Sequence, residues 1–197
     1  MAVESYPEPE VVVESDYPEP EAEEAAEETD EEVAADVEPQ PSSREVTISA
    51  QDELPLVGTL NTDGGGSPQP GVLLLHMLGG KRSDWNDTGL IDTLNAEGYA
   101  TLTLDLRGHG DSIAQVDWAL AEEDINVVWE WFTSQPEIDP ANSVIIGASI
   151  GSNLALRTAA SQPTVQAAVL LSPGLNYRDV TTDDAIAEID RPVLMSP

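Results

Sequence analysis

The sequence predicts an α/β fold: an open, mostly parallel sheet covered by helices on both faces, with an antiparallel hairpin at its start. Three observations predict it. From Arg44 onward, apolar runs of strand length alternate with segments whose apolar residues recur at helical spacing. The first two strand-like runs, 45–49 and 56–61, alternate apolar with polar and lie close enough in sequence to pair as a hairpin. Later runs, 71–76 above all, are continuously apolar, as strands buried on both faces are. Repeated strand–helix units after an antiparallel opening give this architecture.

Each element has its own justification, in chain order. Residues 1–43 read as a disordered acidic tail. They hold sixteen Asp and Glu, no Lys or Arg, and Pro at 7, 9, 18, 20, 39 and 41. Such a segment repels itself and has little large apolar surface to bury. A near-repeat in it, residues 4–10 returning as 14–21, marks a Pro/Glu spacer, and 21–37 has no apolar stripe that would dock a helix. The hairpin strands follow, then a Gly/Pro loop over 63–70 and the buried strand 71–76. Residues 88–97 read as a helix ended by Gly98, and 99–105 as the next buried strand. Asp117 is placed to cap a helix whose Trp118, Ala121, Ile125, Val128 and Phe132 keep helical spacing. Trp129 and Trp131 on that helix cannot both face the core. A strand over 143–146, a helix over 151–161, a strand over 165–171, a short helix over 183–189 and a further strand from Val193 complete the series.

Composition bounds the function. The formal net charge is -31, from 38 acidic and 7 basic residues. Nucleic acid and anionic membrane surfaces demand clustered Lys and Arg, so neither suits this chain as a partner. There is no cysteine, which removes disulfides and thiolate metal sites. No apolar run approaches the roughly 18–20 residues of a membrane span. The N-terminus lacks the basic start and apolar stretch of a signal peptide, so the expected location is cytoplasmic. The alternative is an exported or surface-tethered protein whose signal precedes Met1.

Three Gly-rich turns carry the chemistry. Gly147-Ala148-Ser149-Ile150-Gly151 lies between the apolar run Val144-Ile145-Ile146 and the helix-like Asn153-Leu154-Ala155-Leu156. A tight strand-to-helix turn exposes a serine hydroxyl, its flanking glycines leave room, and the helix aims N–H groups at a developing anion. The bland alternative is an ordinary Gly-rich strand-to-helix turn. His76-Met77-Leu78-Gly79-Gly80 follows the strand 71–76, and Asp105-Leu106-Arg107-Gly108-His109-Gly110-Asp111-Ser112 follows the strand 99–105. His76 and His109 are the only two histidines, and no carboxylate pattern beside them makes a metal site. The four tryptophans read as core by default, with Trp85, beside the His76–Gly80 turn, the one best placed to touch a ligand.

Together the three turns resemble the α/β-hydrolase superfamily, in particular its bacterial dienelactone-hydrolase-like and serine-peptidase-like branches. The second turn is similar to that family's HGxGG loop and the third to its DxRGxGxS signature. The resemblance covers residues 44–197, a partial domain of that fold, and leaves the tail outside. It implies that Ser149 is the nucleophile of a serine hydrolase acting on a small ester, thioester or amide, with no cofactor. It implies that the Ile150 N–H is one oxyanion donor and that the second is Leu78 or, alternatively, Met77. Met77 stands where the family usually has Gly. His76 is expected to brace this loop rather than to act as base, and His109 to be scaffolding.

A serine needs a general base, and the base a carboxylate to orient it. The resemblance puts that acid after the strand beginning near Val193, and the histidine one strand later. The sequence stops at Pro197, so the expectation is a C-terminally truncated domain without its last strand and helix, inactive as it stands. Asp179, Asp183, Asp184 and Asp190 all precede that strand, and the other acid position the family uses holds Ser172-Pro173-Gly174. Residues 172–187 leave room for only a short lid. A non-catalytic binding or interaction module is the alternative from another class, while a cofactor-free haloperoxidase or an acyl transferase would use the same residues. An Asp within about ten residues of Pro197, and a His some 25–35 further on, is the spacing the resemblance implies for an enzyme.

Overall fold

The structure is a computed structural model and describes residues 41–197. Nearly all of the acidic tail, and with it the expectation of disorder, lies outside the described residues. The hairpin opens the fold: β1 (Ser42–Ser49) pairs antiparallel with β2 (Pro55–Thr62), Val46 opposite Gly58. β3 (Gln69–Leu75), β4 (Ala100–Leu104), β5 (Ile138–Ala148), β6 (Ala168–Leu171) and β9 (Val193–Ser196) are mutually parallel. The seven strands lie in the order β1-β2-β4-β3-β5-β6-β9. From β3 the chain first steps outward to β4, then returns to the other side of β3 with β5. Strand order therefore reverses between β3 and β5, and a crevice opens at their carboxyl ends, where open α/β sheets bind ligands.

Helices cover both faces, as the continuous apolar strands require. On one face α2 (Trp118–Thr133) and α3 (Ile150–Ser161) pack on Leu73, Leu75, Leu102, Leu104, Ile145 and Leu170. On the other, Trp85 and Ile91 of a 3-10 helix (Arg82–Thr88) and α1 (Leu90–Ala96) pack on Val72, Leu74 and Ile146. Asp117 caps α2 as the sequence predicts, its side chain accepting from the Ala119 N–H at 3.0 Å. Trp129 is fully buried, and its indole N–H donates to Thr164 at 2.8 Å, while Trp131 is only partly buried. One of the pair faces the core, as helical geometry demands.

Several boundaries differ from the sequence reading. The helix expected at 88–97 is interrupted: Gly89, with φ 70°, ends the 3-10 helix and α1 starts after it. β5 starts at Ile138, five residues before the predicted 143–146. Its register against β3 jumps from Pro70↔Asp139 to Val72↔Val144. The Asp139 carboxylate bonds Ala141 N–H and the Asn142 amide, and Ser143 donates to the Asp139 carbonyl, so a turn is folded into the strand. β6 is shorter than the predicted 165–171. The predicted lid segment contains a small hairpin, β7 (Asn176–Tyr177) and β8 (Val180–Thr181), followed by α4 (Asp183–Glu188). Among the described residues β9 is an edge strand, and its Leu194 and Met195 are each 66% exposed.

Arg107 ties the third turn to helix α2 and to the β1–β2 connection. Its guanidinium makes one fork to the buried Asp124, at 2.7 and 2.6 Å, and another to Asp52, at 2.7 and 3.1 Å. These bonds, Asp124's first, push the guanidinium far above its ordinary pKa. Removing one partner of a buried pair strands the other's charge. Arg107→Ala is therefore expected to destabilise the fold by about 3–5 kcal/mol in urea unfolding, against well under 1 kcal/mol for Arg44→Ala at an exposed pair.

Candidate active site

The crevice between β3 and β5 is bordered by the turn that carries Ser149. Ser149 sits at φ 52°, ψ -118°, a conformation few non-glycine residues adopt, between the end of β5 and the first residue of α3. The flanking glycines explain how the turn closes. A side chain at Gly147 would collide with the Gly151 carbonyl. A Cβ at Gly151 would lie 2.5 Å from the Leu75 carbonyl oxygen and 2.7 Å from that of His76. The Ser149 turn is thus pressed directly onto the end of β3, where the His76 loop begins. Ser149 itself is half-buried, and its N–H donates to the Leu171 carbonyl at 2.8 Å. The Ser152 hydroxyl lies 2.7 Å from both the Gly147 and Leu171 carbonyls, and buried Asn153 bonds Val180 and Gly174, so the first turn of α3 is fastened to its surroundings.

The second turn leaves β3 through His76, which is buried. Its Nε2 accepts from the Leu106 N–H at 3.0 Å, and its Nδ1 lies 2.8 Å from the Met77 carbonyl. An amide N–H only donates, so Nε2 is bare and Nδ1 carries the proton that it gives to Met77. Burial pulls the ring below its ordinary pKa of 6.5, against the opposing effect of the Met77 carbonyl. Both ring nitrogens are engaged. The loop then closes with Gly80 N–H on the Met77 carbonyl at 2.9 Å, with Gly79 at φ 73°. Met77 and Leu78 are 54% and 44% exposed. Among the described residues, the N–H groups of Met77, Leu78 and Ile150 have no hydrogen-bond acceptor.

The third turn underlies the second. Asp105, 1% exposed, accepts from the Arg82 N–H at 2.6 Å, from the Asp111 N–H at 2.9 Å and from the Arg82 guanidinium. Gly110, at φ 49°, lies on the Asp105 carboxylate with no room for a side chain. Ser112 donates to the Asp105 carbonyl at 2.7 Å and accepts from Val57 N–H at 2.9 Å. His109 is half-buried, Nδ1 3.0 Å from the Arg107 carbonyl, its ring 5.1 Å from that of His76 and 5.5 Å from Trp118. Trp85 is buried and lines a cavity of about 80 Å³ with His76, Met77, Asp84, Thr88 and Ala148, its indole N–H without a partner among the described residues. Sequence reasoning missed Arg82 and the part Asp105 plays. Nothing in Lys81-Arg82 sets it apart from a surface pair. Among the described residues no group of three His, Cys, Asp or Glu is arranged to hold a metal, and no helix is long and apolar enough to cross a membrane.

A family model described as "Serine aminopeptidase, S33" matches residues 66–191, a stretch that contains all three turns. The chain belongs to this family of α/β hydrolases. Over 140 residues the chain is 29% identical to an uncharacterized protein of Mycobacterium tuberculosis, a match covering 71% of the chain and 49% of the relative. It is also 29% identical over 116 residues to a lysophosphatidylserine lipase of Gallus gallus, covering 58% of the chain and 30% of the relative. The chain thus spans half or less of the length of these curated relatives. An esterase of Pyrococcus furiosus has the same fold, with a TM-score of 0.66 at 20% identity over 78% of this chain and 70% of that one. A hyperthermophilic esterase of Pyrobaculum calidifontis superposes with a TM-score of 0.58 at 22% identity, over 71% and 46% of the two chains.

A neutral His76 makes the fold sensitive to acid. Its folded pKa lies below the unfolded value, so the unfolded chain binds a proton first as pH falls. The stability tied to His76 is complete above about pH 6.5 and drains away as pH falls toward its folded pKa, at no more than about 1.4 kcal/mol per pH unit. Unfolding free energies measured between pH 7.5 and 5 are expected to fall more steeply for the wild type than for His76→Asn. Parallel profiles would contradict a neutral, doubly bonded His76.

Proposed function

We propose that this hydrolase uses Ser149 as nucleophile to cleave an ester, thioester or amide of a small acyl substrate through an acyl-enzyme. Residues 44–197 form the hydrolase domain, and the acidic residues 1–43 are a spacer. The observation that carries this reading is the contact of Gly151 with the Leu75 and His76 carbonyls. It brings the turn bearing the hydroxyl against the loop whose N–H groups lack acceptors. The esterases of the same fold and the lipase relative favour an ester over an amide.

In the proposed reaction the Ser149 hydroxyl oxygen attacks the acyl carbon while its proton passes to a base. The oxyanion accepts from the N–H of Ile150 and of Leu78, with Met77 as the alternative second donor. Each such donor contributes about 2.7–4 kcal/mol to the barrier reduction. Collapse expels the alcohol, thiol or amine with a proton, and water then releases the acid by the reverse sequence. His76 does not serve as the base, since both its ring nitrogens are occupied and its role is to brace the loop. The chain has one other histidine, His109, which belongs to the scaffold of the third turn. The 197 residues alone are therefore expected to turn over no more substrate than Ser149→Ala does.

A second reading, a non-catalytic module that keeps the fold for binding, draws on the His76 ring beside the turn being bound at both nitrogens. A fluorophosphonate probe separates the two when free imidazole is supplied as the external base. Attack by Ser149 forms the oxygen–phosphorus bond, fluoride leaves, and imidazole takes the proton. The expected result is a single adduct mapped by mass spectrometry to Ser149, absent in Ser149→Ala. A folded chain that stays unlabelled, or is labelled equally at other serines, supports the module instead.

A further inference from the structure

Resting on the nucleophile reading just given, we infer that Arg82 is a positioning residue that sets the oxyanion loop for catalysis by clamping it to Asp105. The loop 76–80 is held at both ends by one short stretch, the carboxyl end of β4. At the near end the Leu106 N–H donates to His76. At the far end Asp105 takes both the main-chain N–H and the guanidinium of Arg82. Between these two fasteners the main chain runs only from Met77 to Lys81, and one internal bond, Gly80 N–H to the Met77 carbonyl, shapes it.

The Arg82 fork is more elaborate than a surface cation needs. Besides Asp105 it reaches Asp111 and Glu45, each at 2.7 Å, and Thr59 at 3.2 Å, and its side chain is 14% exposed. Asp105 is the innermost of these groups, with Gly110 packed on its carboxylate. The Arg82 fork thus joins the loop that bears the proposed donor to β1, β2 and the third turn at once. Arg82 touches neither the nucleophile nor, in this reading, the substrate. It acts by fixing where the Met77 and Leu78 N–H groups point. Since an oxyanion donor works only when aimed at the oxygen of the transition state, a displacement of about 1 Å costs on the order of 100-fold in rate.

The test follows phosphonylation of Ser149 by a fluorophosphonate, with imidazole as external base, in the 197-residue chain. The maximal rate and the half-saturating probe concentration are measured separately, alongside thermal melting. Arg82→Ala is expected to lower the maximal rate by about 10- to 100-fold with the half-saturating concentration little changed, and added guanidinium is expected to restore part of the rate. Arg44→Ala, at a surface pair away from the loop, is expected to keep the wild-type rate. If Arg82→Ala does not fold, Arg82→Lys is read in the same way, because it keeps the main-chain bond and a charge but loses the fork. A wild-type maximal rate in the folded variant, or a lower melting temperature with no change in rate, overturns the inference while leaving the nucleophile in place. Failure of the wild type to label at Ser149 overturns both.

Discussion

Where α3 leaves the end of β5, the backbone at Gly151 lies against the carbonyl oxygens of Leu75 and His76, closer than any side chain permits. Much of the molecule's arrangement follows from that approach. It requires that β3 and β5 be parallel neighbours with Leu75 opposite Gly147, which is their register. It requires glycine on both sides of Ser149, and it turns the chain at the serine, held at positive φ, rather than letting the strand run on. Because the helix starts at once, the N–H of Ile150 has no helical acceptor.

A serine held at positive φ costs on the order of 1–3 kcal/mol, and the neighbouring strand repeats the device at Ser172, with φ 53°. The surroundings over-determine both. Ser149 N–H bonds the end of β6, Ser172 N–H bonds the end of β9, and Ser152 and Asn153 add side-chain bonds from the first turn of α3. Strain kept in this way at the carboxyl ends of adjacent strands is typical of a site whose geometry matters more than its local energy. Charge is arranged with the same economy. Only 7 Lys and Arg serve 38 acids, yet among the described residues the two deeply buried carboxylates, Asp105 and Asp124, are each paired with an arginine. Those two arginines anchor the loops on the side of the crevice opposite Ser149.

The parts of this fold that were legible in the sequence are those governed by periodicity or by steric necessity. The continuous apolar run of β3, the helical spacing around Ile125 and Phe132, the Asp117 cap and the glycines beside Ser149 each have one local cause, and each stands where the sequence reading puts it. Boundaries set by tertiary contacts were not legible. The early start of β5 depends on a turn that Asp139 folds into the strand, and Asp-Pro-Ala-Asn reads as loop. The split before α1 depends on the backbone of Gly89. The hairpin at 176–181 pairs through few residues and a turn at Arg178-Asp179, whose positive φ values no composition rule foresees. Within the site, the place of His76 directly after β3 was legible from the apolar run that precedes it. The Arg82–Asp105 clamp was not, because it joins two segments that meet only in the folded chain.

The proposed reaction requires the Ser149 oxygen, the Ile150 N–H at the start of α3 and one N–H of the 76–80 loop to converge on one point. A crystal structure of the chain phosphonylated at Ser149 measures this most directly. The account predicts a phosphoryl oxygen within about 2.7–3.1 Å of the Ile150 nitrogen and of the Leu78 or Met77 nitrogen. A phosphoryl oxygen turned to solvent, with the loop at 76–80 out of reach, would contradict it.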